Sequence, residues 1–483
     1  MTAIAFSDLS PALPEIVLVV AAMALLILGA FRGERATGLV SWLAAAALVV
    51  VFIVLLIGGP ARRVGFYGMF VGDAFSMFVN VLVLLGSLLA ILLAIDYNKV
   101  QGIDRFEFPV LVLLATTGMM VMISANDLIT LYVGVELQNL ALYVVASFDR
   151  ESRRSSEAGL KYFVLGGLSS GMLLYGLSLI YGSAGTTGFA ELARIVAGGG
   201  AVSPGLVVGL AFAIAGLAFK FSAVPFHMWT PDVYEGAPTP VSAFFAVAPK
   251  LAVLALFVRL MIAPFGALIG EWRQIVVFLS ITSMVFGSVA AVAQRNIKRL
   301  MAYSSISHVG YLLIGLAAGT AEGIRGLLVY LAIYLFMTIG AWAMILTMRR
   351  EGRMLEEIAD LGGLSRTHPA LALALGIFLF SLAGIPPTAG FFAKLYIFFA
   401  AIDAHLVGLA VIGVVTSVVG AFYYLWIVKA MYFDEPVAAF DTPIAGELKG
   451  VLVVTALVTL FFFLLPGPVV GSAEVAASSL FLR

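Results

Sequence analysis

Apolar runs separated by short polar connections occupy nearly the whole chain. A helix crosses about 30 Å of hydrocarbon with about 20 apolar residues. By that measure the pattern predicts fourteen segments: 14–31, 38–58, 71–95, 108–124, 127–148, 159–182, 203–230, 240–262, 273–294, 301–319, 324–348, 368–400, 406–432 and 449–467. The fourth and fifth are joined by a tight turn at Ala125-Asn126-Asp127, and the seventh and twelfth are irregular. The fold class expected is an all-α polytopic membrane protein with about fourteen transmembrane helices.

Composition supports lipid as the solvent. Of 483 residues, 62% are hydrophobic and only 11% charged, where a soluble domain carries about a quarter. A net charge of zero leaves no basic stripe for a nucleic-acid partner. The absence of cysteine excludes disulfides, thiolate zinc sites and Fe–S clusters held by this chain. Met1 to Pro14 carry no Lys or Arg, so the first apolar run is expected to be a retained span, not a cleaved signal.

The connections set the expected orientation. Odd-numbered ones hold Arg32, Arg35, Lys99, Arg105, Arg150, Arg153, Arg154, Arg295, Lys298, Arg299, Arg349, Arg350, Arg353 and Arg366. Even-numbered ones hold only Arg62, Arg63, Arg194 and Arg273, with Arg325 near a helix end. Basic residues accumulate in the cytoplasm, so the odd connections are expected there and both termini in the periplasm of a bacterial inner membrane.

The two irregular segments each combine small residues, proline and one lysine: Ala215 to Pro225 around Lys220, and Ser381 to Gly390 followed by Lys394. Proline removes a backbone donor and clashes with the preceding turn, so both helices should be broken. Taking five helices per unit, segments four to eight and nine to thirteen form two units, each with the broken helix fourth. An odd helix count makes the units enter the membrane from opposite sides, which is an inverted repeat. The division expected is a three-helix segment at 1–106, repeats at 107–262 and 263–433, and a C-terminal helix and tail at 434–483. Paired interruptions of this kind point to a transport site.

Four ionisable residues sit inside apolar segments: Glu136, Lys220, Lys250 and Lys394. Each costs about 2.5–3.5 kcal/mol at a helix centre unless paired, hydrated or neutralised. A static ion pair of Glu136 with one lysine accounts for two of them and leaves two lysines without a carboxylate. Low dielectric favours the neutral form of such an amine, and an amine that is neutral or charged near neutral pH can carry a proton. His308 shares a helix face with Ser304 and Tyr311, a face suited either to a hydrated relay or to interhelical packing. His227 follows Pro225 as an interfacial histidine or a site residue. His368 and His405 fall at segment ends and receive no role.

Two stretches carry a family resemblance: Val224-Pro225-Phe226-His227-Met228-Trp229-Thr230-Pro231-Asp232-Val233-Tyr234-Glu235-Gly236-Ala237-Pro238-Thr239-Pro240, and Asn296-Ile297-Lys298-Arg299 through Tyr311. Over nearly its whole length the chain resembles the antiporter-like subunits of the proton-pumping NADH:quinone oxidoreductase, respiratory complex I. The Tyr234-Glu235-Gly236 variant, the lysine at 394 and the short tail resemble the N-type branch more than the M or L types. The resemblance implies that Glu136 pairs with Lys220, that Lys250 is the central lysine and that Lys394 lies at the exit side. It implies no cofactor in this chain, with FMN, Fe–S clusters and quinone in partner subunits. The partners it implies are other complex I membrane subunits, with M and the small subunit K as neighbours, and phospholipids.

The mechanism expected runs from the cytoplasm to Lys220, through Lys250 near His308, to Lys394. Glu136 acts as a switch: a unit charge 4 Å away at an effective dielectric of about 20 is worth about 4 kcal/mol. Three other readings compete. An Mrp-type sodium/proton antiporter subunit would use the same fold, with sodium-dependent transport to tell it apart. A haem- or quinone-binding redox subunit is the second, and haem b needs paired intramembrane histidines. An architectural spacer leaves the buried lysines unexplained.

Overall fold

A computed structural model of the chain describes residues 6–198 and 203–481. It is almost wholly helical. Ten helical stretches among the described residues are long and apolar enough to cross a membrane by length and composition, and three shorter apolar helices accompany them. We label α1 Leu13–Arg32, α2 Thr37–Gly58, α3 Ala74–Val100, α4 Glu107–Ile123, α5 Leu128–Ala146, α6 Arg153–Ala184 and α7 Pro204–Lys220. After these come α8 Thr239–Ile262, α9 Ile269–Val292, α10 Ile297–Ala318, α11 Ala321–Thr347, α12 Pro369–Ala383, α13 Val407–Phe433 and α14 Gly446–Phe461. Each predicted segment falls on a helix.

Local chemistry fixes where these helices begin. Asp73 opens α3 with a reciprocal box, its Oδ1 accepting from the Ser76 N–H at 2.8 Å while Ser76 Oγ accepts from the Asp73 N–H at 2.8 Å. Asp127 caps α5, Ser152 caps α6, Asn296 caps α10 and Thr320 caps α11. Such caps satisfy backbone donors that would otherwise be orphaned at a helix start.

Among the described residues three helices are interrupted near a buried lysine. At Lys220 α7 stops; residues 221–229 are irregular, and a short helix follows at Thr230–Gly236. At Ala383 α12 stops, Gly384 takes φ +85°, and the helix resumes over Ala389–Asp403. The third interruption, inside α8, was not anticipated from sequence. Its two halves meet at Val247, with φ −120° and ψ −88°. Pro249 explains it, because a ring at that position cannot donate backward and collides with the turn before it. Lys250 therefore stands in the first turn after a break. Two further helices, Phe189–Ala197 and Gly467–Ser479, lie where only connection and tail were expected. The second packs on α11 and α3.

The centre of the molecule is formed by α8, α10 and α11, which are almost entirely buried, whereas α1, α2, α13 and α14 turn large apolar side chains outward. Polar groups on the central helices consequently face protein. Glycine lets two neighbouring pairs approach closely: a Cβ on Gly118 would lie 2.5 Å from the Gln138 nitrogen, and one on Gly287 would lie 2.6 Å from that of Ser307. These contacts join α4 to α5 and α9 to α10 at the same distance from their respective caps, Asp127 and Asn296.

Candidate functional site

The end of α7 places Lys220 against α5 and α6. Its buried amine donates to Ser170 Oγ at 3.0 Å, the Gly166 carbonyl at 3.2 Å and Tyr143 OH at 3.5 Å. Glu136, two turns into α5, accepts from Asn139 Nδ2 at 3.2 Å, and the same amide reaches Ser170 Oγ at 3.5 Å. Glu136 and Lys220 are thus joined through Asn139 and Ser170 and form no direct ion pair. The carboxylate is held one turn along its own helix, while the amine is held by the facing one.

Beyond Lys220 the interior is aromatic. Tyr143 meets Tyr162 edge-on at 5.0 Å, Tyr162 stacks on Trp229 at 4.5 Å, and Trp229 meets Tyr234 at 6.3 Å. Lys250 lies on the far side of this wall, its Nζ 5.1 Å from the centre of the Tyr234 ring.

Hydroxyls take over from there. Lys250 Nζ donates to Ser305 Oγ at 2.5 Å, and Ser305 is hydrogen-bonded to Tyr334 OH at 2.8 Å. One turn along α10, His308 holds Tyr330 OH through Nδ1 at 2.7 Å and Tyr424 OH through Nε2 at 3.3 Å. Tyr424 OH in turn bonds Ser304 Oγ at 2.5 Å. The Ser304, His308 and Tyr311 face expected from spacing is therefore real, and it points into the protein. The tyrosines that complete it, on α11 and α13, carried no signal in their own segments beyond being polar within apolar runs.

The last amine is Lys394, in the resumed half of the twelfth segment. Its Nζ reaches back to the carbonyls where α12 ends, Ala383 at 2.8 Å and Leu382 at 3.3 Å, and to Ser417 Oγ at 2.7 Å. A helix C-terminus presents unpaired carbonyls and the negative end of its dipole, a natural seat for an ammonium group. The Tyr311 ring lies 4.9 Å below the amine, and its hydroxyl donates to Thr416 Oγ1 at 3.3 Å.

None of Lys220, Lys250 and Lys394 has a carboxylate within ion-pair reach among the described residues. A contrasting pair shows what a static buried bridge looks like here. Arg259, on α8, grips Asp73 with two hydrogen bonds of 2.9 and 2.7 Å, tying α8 to the start of α3. His227 lies outside the line, against Phe286 at 4.6 Å, and His368 lies against Phe440. Among the described residues no three His, Cys, Asp or Glu side chains gather as a metal site.

The two resemblance-bearing stretches meet at the starts of α6, α8 and α10. Arg299 donates to Asp232 and Glu235, each at 2.8 Å, and Arg154 bridges Glu235 at 2.9 Å and Glu356 at 3.1 Å. Glu356 also accepts from Asn296 Nδ2 at 3.1 Å and Lys298 Nζ at 3.4 Å. Burial opposes charge on Glu356, but Lys298, Arg154 and these hydrogen bonds outweigh it and hold its carboxyl below the ordinary range.

Comparison with known proteins places this geometry. The family described as NADH:quinone oxidoreductase/Mrp antiporter, TM matches residues 125–420. The chain is 56% identical to NADH-quinone oxidoreductase subunit N of Rhodospirillum rubrum over 474 residues, 98% of this chain and 97% of that protein. It is 57% identical to the subunit N of Methylobacterium nodulans, over 98% of each. Among solved structures, it is similar to a chain of respiratory complex I from Thermus thermophilus, with TM-score 0.82 and 32% identity over 96% of this chain and all of that one. A chain of the Mrp complex from Dietzia sp. shares the fold, with TM-score 0.88 and 24% identity over 98% of each.

Proposed function

The chain belongs to the NADH:quinone oxidoreductase/Mrp antiporter family of membrane subunits, and from that premise we propose that it translocates protons as a membrane subunit of NADH:quinone oxidoreductase. It is part of a translocating oxidoreductase but carries no cysteine for a cluster. Electron transfer, with FMN, Fe–S clusters and quinone, belongs to partner subunits. The partners are other membrane subunits of complex I, with the M and K types as the proposed neighbours, in a bacterial inner membrane with both termini periplasmic.

One observation carries the reading: among the described residues, buried amines without carboxylate partners stand at the breaks in α7, α8 and α12, and the hydroxyl pair that holds the central one, Ser305 and Tyr334, lies against His308, with the Tyr334 and His308 rings 5.4 Å apart. Each amine is held by neutral oxygens, which accept from an ammonium and lose only one partner when it becomes an amine. Protons pass from Lys220 to Lys250 and on past His308 to Lys394. The aromatic wall around Trp229 separates the first two, so that transfer needs a rearrangement at the 221–229 break. Closing Glu136 on Lys220 would hold its proton, and the present spacing through Asn139 and Ser170 is the released arrangement. The units 107–262 and 263–433 are read as inverted repeats, flanked by 1–106 and 434–483. The matched caps and glycine contacts support that division.

An affinity tag on this chain provides the test. NADH:quinone reductase activity that co-purifies with it, coupled to proton uptake in vesicles, is expected. Sodium-dependent proton exchange with no such activity would instead assign the fold to an antiporter of the Mrp type.

A further inference from the structure

The first three helices contribute nothing to the line of amines, yet they line an open, mostly apolar cavity of about 350 Å³ that holds a few buried polar groups. It lies between the start of α1, the end of α2, the hairpin Arg63–Gly72 and the start of α3. Two buried acceptors line it without partners. Glu15 is 5% exposed and its Oε2 accepts no hydrogen bond; Asn80 is 2% exposed and the same holds for its Oδ1. A buried acceptor without a donor is destabilising unless a ligand or solvent satisfies it. Asp73 also lines the space, but both of its oxygens are taken by Arg259. Arg63 pairs through its backbone with Gly72, but its half-buried guanidinium forms no ion pair or hydrogen bond among the described residues.

These groups define a complementary ligand. Two acceptors, one a carboxylate, call for a positively charged N–H donor; an unpaired guanidinium calls for a phosphate. Leu13 and Ile57 line the same cavity and are exposed on the outer apolar surface, Ile57 at 81%. The ligand therefore has an apolar body beside its zwitterionic head. We propose that this cavity binds the head group of a phospholipid with a primary amine, of the phosphatidylethanolamine class. The ammonium donates to Glu15 and Asn80, and the phosphate accepts from Arg63. A bare cation would sit beside an unsatisfied Arg63. An anionic head would face Glu15, and a trimethylammonium head has no N–H to give.

The test uses the whole complex purified through a tag on this chain and exchanged into detergent containing phosphatidylcholine. Retained lipids are extracted and counted per complex by mass spectrometry. The wild type should keep one phosphatidylethanolamine more than Glu15→Gln or Arg63→Gln, and phosphatidylcholine should displace it about tenfold less well than added phosphatidylethanolamine does. Equal retention in the wild type and both variants overturns the proposal. So does retention of phosphatidylcholine or phosphatidylglycerol in its place. If either variant fails to assemble, the competition on wild-type complex alone decides: equal displacement by the two head groups overturns it.

Discussion

Lys220 and Lys394 both sit beside a break in their helices but are held in different ways. Lys220 leans on two side-chain hydroxyls and one carbonyl, and a carboxylate stands behind them. Lys394 leans on two carbonyls at a helix end and on Ser417. The caps allow the two regions to be aligned. Glu136 lies nine residues after Asp127, and Ser305 lies nine after Asn296. Asn139 and His308 correspond in the same way, each twelve residues after its cap. The carboxylate of the first region is thus replaced in the second by a hydroxyl that holds Lys250, and the amide by a histidine. The first region has a charge that can move toward its lysine. The second has fixed dipoles, which change only if the backbone does.

The contrast can be broken outright by removing either amine. Lys220→Met or Lys394→Met should bring proton pumping to background in assembled complex, measured as uptake in vesicles driven by NADH. Removing the switch alone should cost less. Glu136→Gln should slow pumping about tenfold, the effect of about one pKa unit of lost control. Ser305→Glu should slow it comparably by fixing a charge on Lys250. Full pumping in Glu136→Gln would remove the distinction between the regions.

Smaller changes sharpen it further. Ser170→Ala should reduce the pumping rate about fivefold, because it breaks both the lysine contact and the bridge to Glu136, a loss near 1 kcal/mol. Ser417→Ala should cost about twofold, since the α12 carbonyls remain. The last effect lies outside the line and is read on stability, with pumping expected to stay near the wild-type rate. The carboxyl of Glu356 is held below its unfolded value of about 4.3, so its charge contributes stability above that pH, lost as pH falls through the lower folded value. Glu356→Gln should cost about 1 kcal/mol near neutral pH. It should also flatten the fall of thermal stability in acid, followed by thermal unfolding of the purified complex.

The sequence made the helical segments legible because lipid imposes a long apolar period, and proline marked the breaks at Pro225 and Pro386. The same logic holds for Pro249, where the apolar run that continues on both sides masks the break. The charged members of the line stood out against apolar neighbours. Their partners did not. Tyr330, Tyr334 and Tyr424 become recognisable only when α10, α11 and α13 pack and show which face of each turns inward. The spacing between Glu136 and Lys220 was likewise invisible, because Asn139 and Ser170 come from different helices.

The central claim is that the buried amines carry protons and are not merely tolerated. The most direct measurement is the number of protons moved per NADH oxidised in vesicles containing complex with Lys250→Met, whose reductase activity and assembly are checked beside the wild type. A ratio below that of the wild type, with the complex assembled, is the expected result. An unchanged ratio would contradict the account, because the path between Lys220 and Lys394 would then not run through Lys250.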